Sequence, residues 1–353
     1  MRIDQILPTM SGGDAIGNEV RAIQWLLLKS GHKSDIYAQN IAPGVRDVRK
    51  IHELRSNANA LLIYHYSIGS TVTDLAIRQG YRLVLRFHNI TPPDYYLGVN
   101  YELYKLLTKG YDDLAALEGQ TELAICDSKY NARCLRKYGD FRTAVCPIVA
   151  DPNKIARAKP DQKLLKRLDD GSKKFLFVGR FSLNKRHDKC IELFYHYQKA
   201  NPESRLLLVG GHGGTEPYYA ALVKFASNLG IADKVMFSKD KVTPEELAAY
   251  YRSADAFLCA SEHEGFCVPL VESMACGVPV IAARQEAVAE TLGKSPGLFE
   301  FDESDRTAVL AEKLRKAKGI LEHQRKRFEE FGYPEKPQDE FIRLIIGESG
   351  RKQ

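Results

Sequence analysis

Glu264-Gly-Phe-Cys-Val-Pro-Leu-Val-Glu272-Ser-Met-Ala-Cys-Gly277 is the stretch on which the reading of this chain turns. It reads as a loop entering a short helix. Pro269 suits a first helical position, where its missing N–H would be unpaired anyway, and Gly277 suits the residue just past the end. The apolar runs on either side, 256–259 and 278–282, read as buried strands. The unit is therefore strand, loop, helix, strand, with the helix N-terminus beside Gly265 and Phe266. Free N–H groups at such an end attract anions, phosphate above all. The two glutamates add a different chemistry. An ionised carboxylate only accepts hydrogen bonds, so Glu264, ahead of the helix, and Glu272, in its first turns, suit hydroxyls and vicinal diols rather than phosphate. Phosphate at a helix end with hydroxyls at two carboxylates describes a nucleotide sugar. Two glutamates taken alone are more often a cap and a solvated helical residue.

Composition sets the frame. At 353 residues the chain exceeds one ordinary core and suggests two domains, and 44% apolar with 27% charged residues is a globular balance. No apolar run approaches the roughly 20 residues of a membrane span. The start, Met1-Arg-Ile-Asp-Gln5, lacks a signal-peptide pattern, which predicts a cytoplasmic protein. Seven cysteines sit mostly in apolar segments and read as reduced core thiols. Their odd number and the lack of CxxC pairs argue against a disulfide framework or a zinc site. A net charge of +6 suits proximity to anionic lipid but is too weak to argue for nucleic acid.

In the first half, residues 3–7 read as a strand leading through Thr9-Met-Ser-Gly-Gly-Asp14 into an amphipathic helix that stops near Gly31. Gly12 and Gly13 allow close approach of backbone to a ligand and Asp14 suits an N-cap, although Gly-Gly before a helix is also an ordinary turn. Further strands are expected at 34–38, 60–66, 81–87, 121–126 and 143–146, with helices at 95–117 and 128–138. That alternation predicts a parallel sheet covered on both faces, with ligands at the carboxyl ends of the strands. The rule singles out residues 11–14, His65, His88 and Asp127-Ser128. His88 stands before the extended Pro92-Pro93 segment and is equally readable as a structural histidine. Asp127-Ser128 reads as a helix N-cap. Tyr95, Tyr96, Tyr101 and Tyr104 suit sugar stacking or, at helical spacing, a core face.

Residues 147–171, rich in proline and lysine, read as the interdomain region. The next strand, 174–178, opens into Gly179-Arg180-Phe-Ser-Leu-Asn184-Lys185-Arg186. Cations after a strand-end glycine make a diphosphate grip, Arg through its fork and Lys as a point charge, though loop cations are as often merely solvated. Arg186 is expected to face solvent. Strands at 205–209 and 234–237 and helices at 218–229 and 244–252 follow, the last with Thr243 and Glu246 at capping-box spacing. Glu290-Thr291 reads as the cap of another step and 302–318 as a charged helix. No repeat at solenoid period occurs.

The run Ser261-x-x-Glu264-Gly-Phe-x-x-Pro269-x-x-Glu272-x-Met-Ala-x-Gly277-x-Pro279-Val-Ile resembles the glutamate–seven–glutamate signature of the retaining GT4 glycosyltransferases. Gly179-Arg180-x-x-x-x-Lys185 is similar to their second hallmark. Cys267 departs from the pattern, since many members carry glycine there. The resemblance implies an α/β GT-B architecture of two Rossmann-like domains whose parallel sheets face across a cleft. Residues 1–150 are expected to bind the acceptor, 151–330 the nucleotide-sugar donor, and 331–353 to form a tail returning to the first domain.

The reaction so implied moves a sugar, with retention, from a nucleoside diphosphate sugar to a saccharide or lipid-linked saccharide in surface polysaccharide or glycan synthesis. Glu272 would hold the ribose diol, and Glu264 with the Gly265-Phe266 backbone the sugar hydroxyls. Arg180 and Lys185 would stabilise the departing diphosphate in place of a metal ion. Gly12 and Gly13 would lie against that diphosphate and His88 against the sugar. Loops at Gly210-Gly211 and 239–242 would approach the base. No DxD triplet stands at a strand end, so neither metal nor other cofactor is expected. Peripheral contact with the inner face of the cell membrane stays open. So do three rivals: a GT-B sugar-nucleotide epimerase, a phosphorylase, and a non-catalytic partner that only binds nucleotide sugar.

Overall fold

The computed structural model describes residues 1–239, 241–301 and 309–349. The chain divides into two compact units, the first comprising residues 1–97, 101–150 and the tail from 332, the second 98–100 and 151–331.

The first unit is built on β1 (Ile3–Met10), β2 (Ile36–Ile41), β3 (Arg49–Lys50), β4 (Leu61–Tyr66), β5 (Arg82–Phe87), β6 (Thr121–Cys126) and β7 (Thr143–Val145). They pair in the order β3-β2-β1-β4-β5-β6-β7, every pair parallel. All six residues of β4 are buried, as expected for a strand covered on both faces. The connections run to one side of β1 and then to the other of β4, which makes the carboxyl ends of β1 and β4 a topological switch point. The helix Glu335–Ser349 joins this unit. Its Phe341 and Ile345 are fully buried among Ile3, Ile23, Leu61, Val84 and Ile125.

The second unit holds β8 (Lys173–Val178), β9 (Ser204–Val209), β10 (Val235–Phe237), β11 (Ala256–Cys259), β12 (Val280–Ala283) and β13 (Leu298–Phe299). Their order is β10-β9-β8-β11-β12-β13, again all parallel, with the switch point between β8 and β11. Phe177 of β8 stacks on Phe257 of β11 with ring centroids 6.1 Å apart. Five of the seven cysteines are buried and all are free thiols.

Several elements differ from their sequence readings. β1 runs on to Met10, and the strand expected at 34–38 lies at Ile36–Ile41, because the Asp35 amide is held by the buried Asp4 carboxylate at 3.0 Å. The helix expected over 95–117 is a 3-10 turn, Pro93–Tyr96, and a helix, Tyr101–Glu118, parted at Gly98 with φ +77°. Glu290 and Thr291 lie inside the helix Glu286–Leu292, whose cap is Gln285, accepting from the Ala287 and Val288 amides. Of the charged helix expected over 302–318, residues 302–308 lie outside the described residues. The remainder forms Val309–Arg315 and the start of Ala317–Phe331.

Candidate active site

β8 and β11 are neighbours, so the loops that follow them are brought together at the switch point of the second unit. The β8 loop starts at Gly179, whose amide donates to the Val209 carbonyl at 2.8 Å. A Cβ on Gly210 would fall 1.9 Å from the Gly179 carbonyl oxygen, so the two strand ends meet only because this residue is glycine. After Arg180 the chain makes a 3-10 turn, Leu183–Lys185. Buried Asn184 laces this turn to the β11 loop: its side-chain amide donates to the His263 carbonyl at 3.0 Å, and the Glu262 amide donates to the Asn184 backbone carbonyl at 2.9 Å. Lys185 is thereby set 2.6 Å from a carboxylate oxygen of Glu264. Burial alone would depress the Lys185 ammonium, but the Glu264 carboxylate outweighs it and the net pKa is raised. A fixed ammonium beside an inward carboxylate offers one group for phosphate oxygens and one for hydroxyls.

Arg180 takes a different course. It is exposed, and its guanidinium donates to the Gly213 carbonyl rather than joining the Lys185–Glu264 pair. Arg186, expected in solvent, instead pairs with Asp188 at 2.8 Å and with Glu262 from a left-handed backbone of φ +51°.

The helix behind the β11 loop is Val268–Ala275, so it begins one residue ahead of Pro269. Gly277, at φ +69°, follows its end in the left-handed conformation that stops helices. Phe266 is buried with its ring edge on Phe331, centroids 5.9 Å apart, and its carbonyl accepts from the Thr291 hydroxyl at 2.9 Å. Gly265, between Glu264 and this anchor, is partly buried. Glu272 accepts a hydrogen bond of 3.0 Å from the Tyr251 hydroxyl. Desolvation raises the Glu272 pKa and the Tyr251 bond offsets part of that rise. Tyr251 and Asn184 carry no motif signal. Only the fold shows them beside the glutamates.

In the first unit Gly12 and Gly13 form an exposed loop after β1, Gly13 at φ +88°, and no atom lies within 4 Å of a Cβ built on either. Asp14 caps the helix Ala15–Lys29 through a 2.6 Å bond from the Gly17 amide. Ser128 likewise caps Lys129–Leu135. His88 sits in a chain of buried polar groups. The Gln5 side-chain nitrogen donates to the Val20 carbonyl, which turns its oxygen toward His65 Nε2 at 2.9 Å. Burial, His88 and Arg86 drive the His65 pKa well down, so His65 is neutral and its Nδ1 accepts from His88 Nε2 at 3.1 Å. His88 Nδ1 faces Asp127 at 3.0 Å. Both ring nitrogens of His88 therefore have protein partners. Beneath them fully buried Arg86 bridges Glu19 at 2.6 Å and Asp127 at 2.8 Å, and Glu19 also accepts from the Val149 amide at 2.7 Å. Sequence reasoning missed Glu19 and Arg86, which lie inside a helix and near the end of β5, at buried positions where an apolar residue is the norm.

A cavity of 740 Å³ in the second unit, lined by Asp161, Lys163, Arg167, Phe237, Lys239 and Tyr250, shares no residue with the Lys185–Glu264 pair. Lys239 belongs to the loop expected near the base, and Asp240 of that loop lies outside the described residues.

Residues 159–333 match the sequence model of the family described as glycosyl transferases group 1. An alpha-monoglucosyldiacylglycerol synthase of Streptococcus pneumoniae is 30% identical over 229 residues, covering 63% of this chain and 49% of the relative. A D-inositol 3-phosphate glycosyltransferase of Acidothermus cellulolyticus is 37% identical over 116 residues, 31% of this chain and 25% of the relative. The aligned stretch thus spans half or less of the length of these curated relatives. Among solved structures, HepE of Anabaena in complex with UDP-glucose superposes with a TM-score of 0.74 at 16% identity, over 98% of this chain and all of that one. That likeness is one of fold: two parallel-sheet α/β units of GT-B type.

Proposed function

Because this chain belongs to the glycosyl transferases group 1 family, we propose that it is a retaining glycosyltransferase that takes its sugar from a nucleoside diphosphate sugar. The observation that carries this reading is the Lys185–Glu264 pair at the β8–β11 switch point, the position where open parallel sheets bind ligands. The departing diphosphate gains negative charge as the glycosidic bond breaks. Lys185 would stabilise that charge, joined by Arg180 once its bond to the Gly213 carbonyl is released. Glu264 and the Gly265-Phe266 backbone would hold the sugar hydroxyls, and Glu272, oriented by Tyr251, the ribose diol.

The first unit would serve the acceptor, and Gly12 and Gly13, which carry no side chain, would let the protein backbone come close to a bound ligand, the donor diphosphate above all. His88 would act through its fixed orientation, since its ring nitrogens already hold His65 and Asp127. The acceptor is proposed to be a saccharide or a lipid-linked saccharide, in surface polysaccharide or glycan synthesis. The Streptococcus relative is named for a lipid product. No described helix is long and apolar enough to cross a membrane. Trp25 and Leu28 of the helix Ala15–Lys29 are more than half exposed, with the Lys29 ammonium 4.8 Å from the Trp25 ring centre. That combination supports peripheral contact with an anionic bilayer.

The test is a panel of nucleotide sugars, read first by thermal shift and then by transfer to added acceptors. Product anomers are assigned by NMR. A donor that raises the melting temperature and yields a product of retained configuration upholds the reading. Absence of a response across UDP-, GDP-, ADP- and dTDP-sugars rejects it.

A further inference from the structure

Cys259 closes β11 and Cys267 stands at the head of the next helix, and the loop between them folds back so that both thiols meet Glu264. One ligand atom from each of the three residues lies within 4.8 Å of the other two, and all three residues are buried. We propose that Cys259, Cys267 and Glu264 form a binding site for a thiophilic divalent cation, zinc or cadmium, whose occupancy excludes the sugar-nucleotide donor. The donor-exclusion half rests on the function proposed above, whereas the cation site does not.

Geometry, charge and backbone each argue for it. A tetrahedral zinc ion with bonds of about 2.3 Å to sulfur holds two thiolates about 3.8 Å apart, within the span these atoms already occupy. Two thiolates and one carboxylate carry three negative charges, and a divalent ion with the adjacent Lys185 ammonium supplies three positive ones. The Lys185 side chain is therefore a counter-cation held in place before any metal arrives. Cys267 adopts φ +69° and ψ 71°, a left-handed conformation that a glycine would take without strain. A thiol thus stands where the backbone favours glycine. Cys259 Sγ now lies 3.5 Å from the Ser261 hydroxyl, a weak contact that a metal bond would replace. The fourth position would be taken by water. Both thiol protons leave on binding, so affinity rises with pH.

The test uses the full chain, reduced and metal-free, in a Cys134→Ser, Cys276→Ser background that removes the two partly exposed thiols. Cadmium is added and the ultraviolet charge-transfer absorption of cadmium thiolate is followed. The expected result is one cadmium per chain, with affinity reduced at least about tenfold in Cys267→Gly and in Cys259→Ser. Circular dichroism confirms that each variant is folded. No absorption, or absorption of undiminished strength in both variants, overturns the site. So does a pair that oxidises to a disulfide but takes up no cadmium. A second arm repeats the donor thermal shift with zinc present, where the shift should be lost in the parent and kept in Cys267→Gly. Cadmium uptake with an undiminished donor response upholds the cation site and overturns its coupling to the donor.

Discussion

The Lys185 ammonium lies 2.6 Å from a carboxylate oxygen of Glu264, across 79 residues of sequence, and each is placed by a loop that the other's loop helps to hold. Removing either partner leaves a partly desolvated charge without its complement. Lys185→Ala is expected to lower kcat for sugar transfer by about 10²–10³, the range for loss of one electrostatic donor. Glu264→Ala should instead weaken discrimination among donor sugars. Steady-state kinetics over the nucleotide-sugar panel separates the two. Near-normal turnover in Lys185→Ala would sink the assignment.

Glu272 gives a prediction with a definite sign in pH. Its folded-state pKa is raised, chiefly by desolvation, so the folded protein holds this proton more tightly than the unfolded chain does. The stabilisation is complete below the unfolded carboxylate value and lost as pH rises through the folded one. Glu272→Gln removes the cost of burying the charge while still accepting from Tyr251. The variant should therefore melt higher than the parent at pH 8, with the gap narrowing toward pH 4. Donor affinity should fall at the same time, by about 1.5–3 kcal/mol for a lost charged hydrogen bond. A melting difference independent of pH would contradict the assignment of this carboxylate.

The Arg86–Glu19 pair lies under the carboxyl end of the first sheet with both side chains fully buried. Breaking such a pair from one side is costly because the other charge stays behind. Glu19→Gln is expected to destabilise the first unit by about 3–5 kcal/mol. Urea unfolding followed by Trp25 fluorescence, a probe on the same helix, would measure it. A loss under about 1 kcal/mol would mean that Asp127 alone suffices to hold Arg86.

Phe341 provides a test at the far end of the chain. It is fully buried against residues of β1, β4 and β5, so Phe341→Ala should cost about 3–5 kcal/mol. Deleting the tail from residue 332 should expose that apolar surface and cause aggregation. A soluble, cooperatively melting truncation would show that the tail is dispensable.

Much of this was legible in the sequence because the signals were local. β11 is a continuous apolar run, β4 is interrupted only by His65 and β8 is apolar after its two lysines, while Gly210 and Gly277 mark strand and helix ends where the backbone does require glycine or a left-handed residue. The Glu264 and Lys185 motifs were readable for the same reason, as short strings at strand ends. Their direct pairing was not, since it depends on β8 and β11 being adjacent, a fact of topology. Arg186 was misjudged because its partner Glu262 is remote in sequence and Asp188 reads as an ordinary helix-start acid. His65, His88 and Asp127 were each legible as strand-end residues, but Gln5 and the hydrogen-bonded chain that joins all four were not. That chain draws one residue from each of four neighbouring strands or strand ends, and no spacing rule spans them. The meeting of Cys259 and Cys267 was hidden likewise, because a seven-residue gap matches no familiar ligand spacing.

The helix that carries Phe341 and Ile345 also bears on how the molecule is made. Synthesis runs from the amino end, so the ribosome releases the first sheet long before the segment that seals its back face. Until the helix Glu335–Ser349 emerges, the first unit waits with an open seam while the second unit, translated in between, is free to fold. The order of completion is then the reverse of the order of translation.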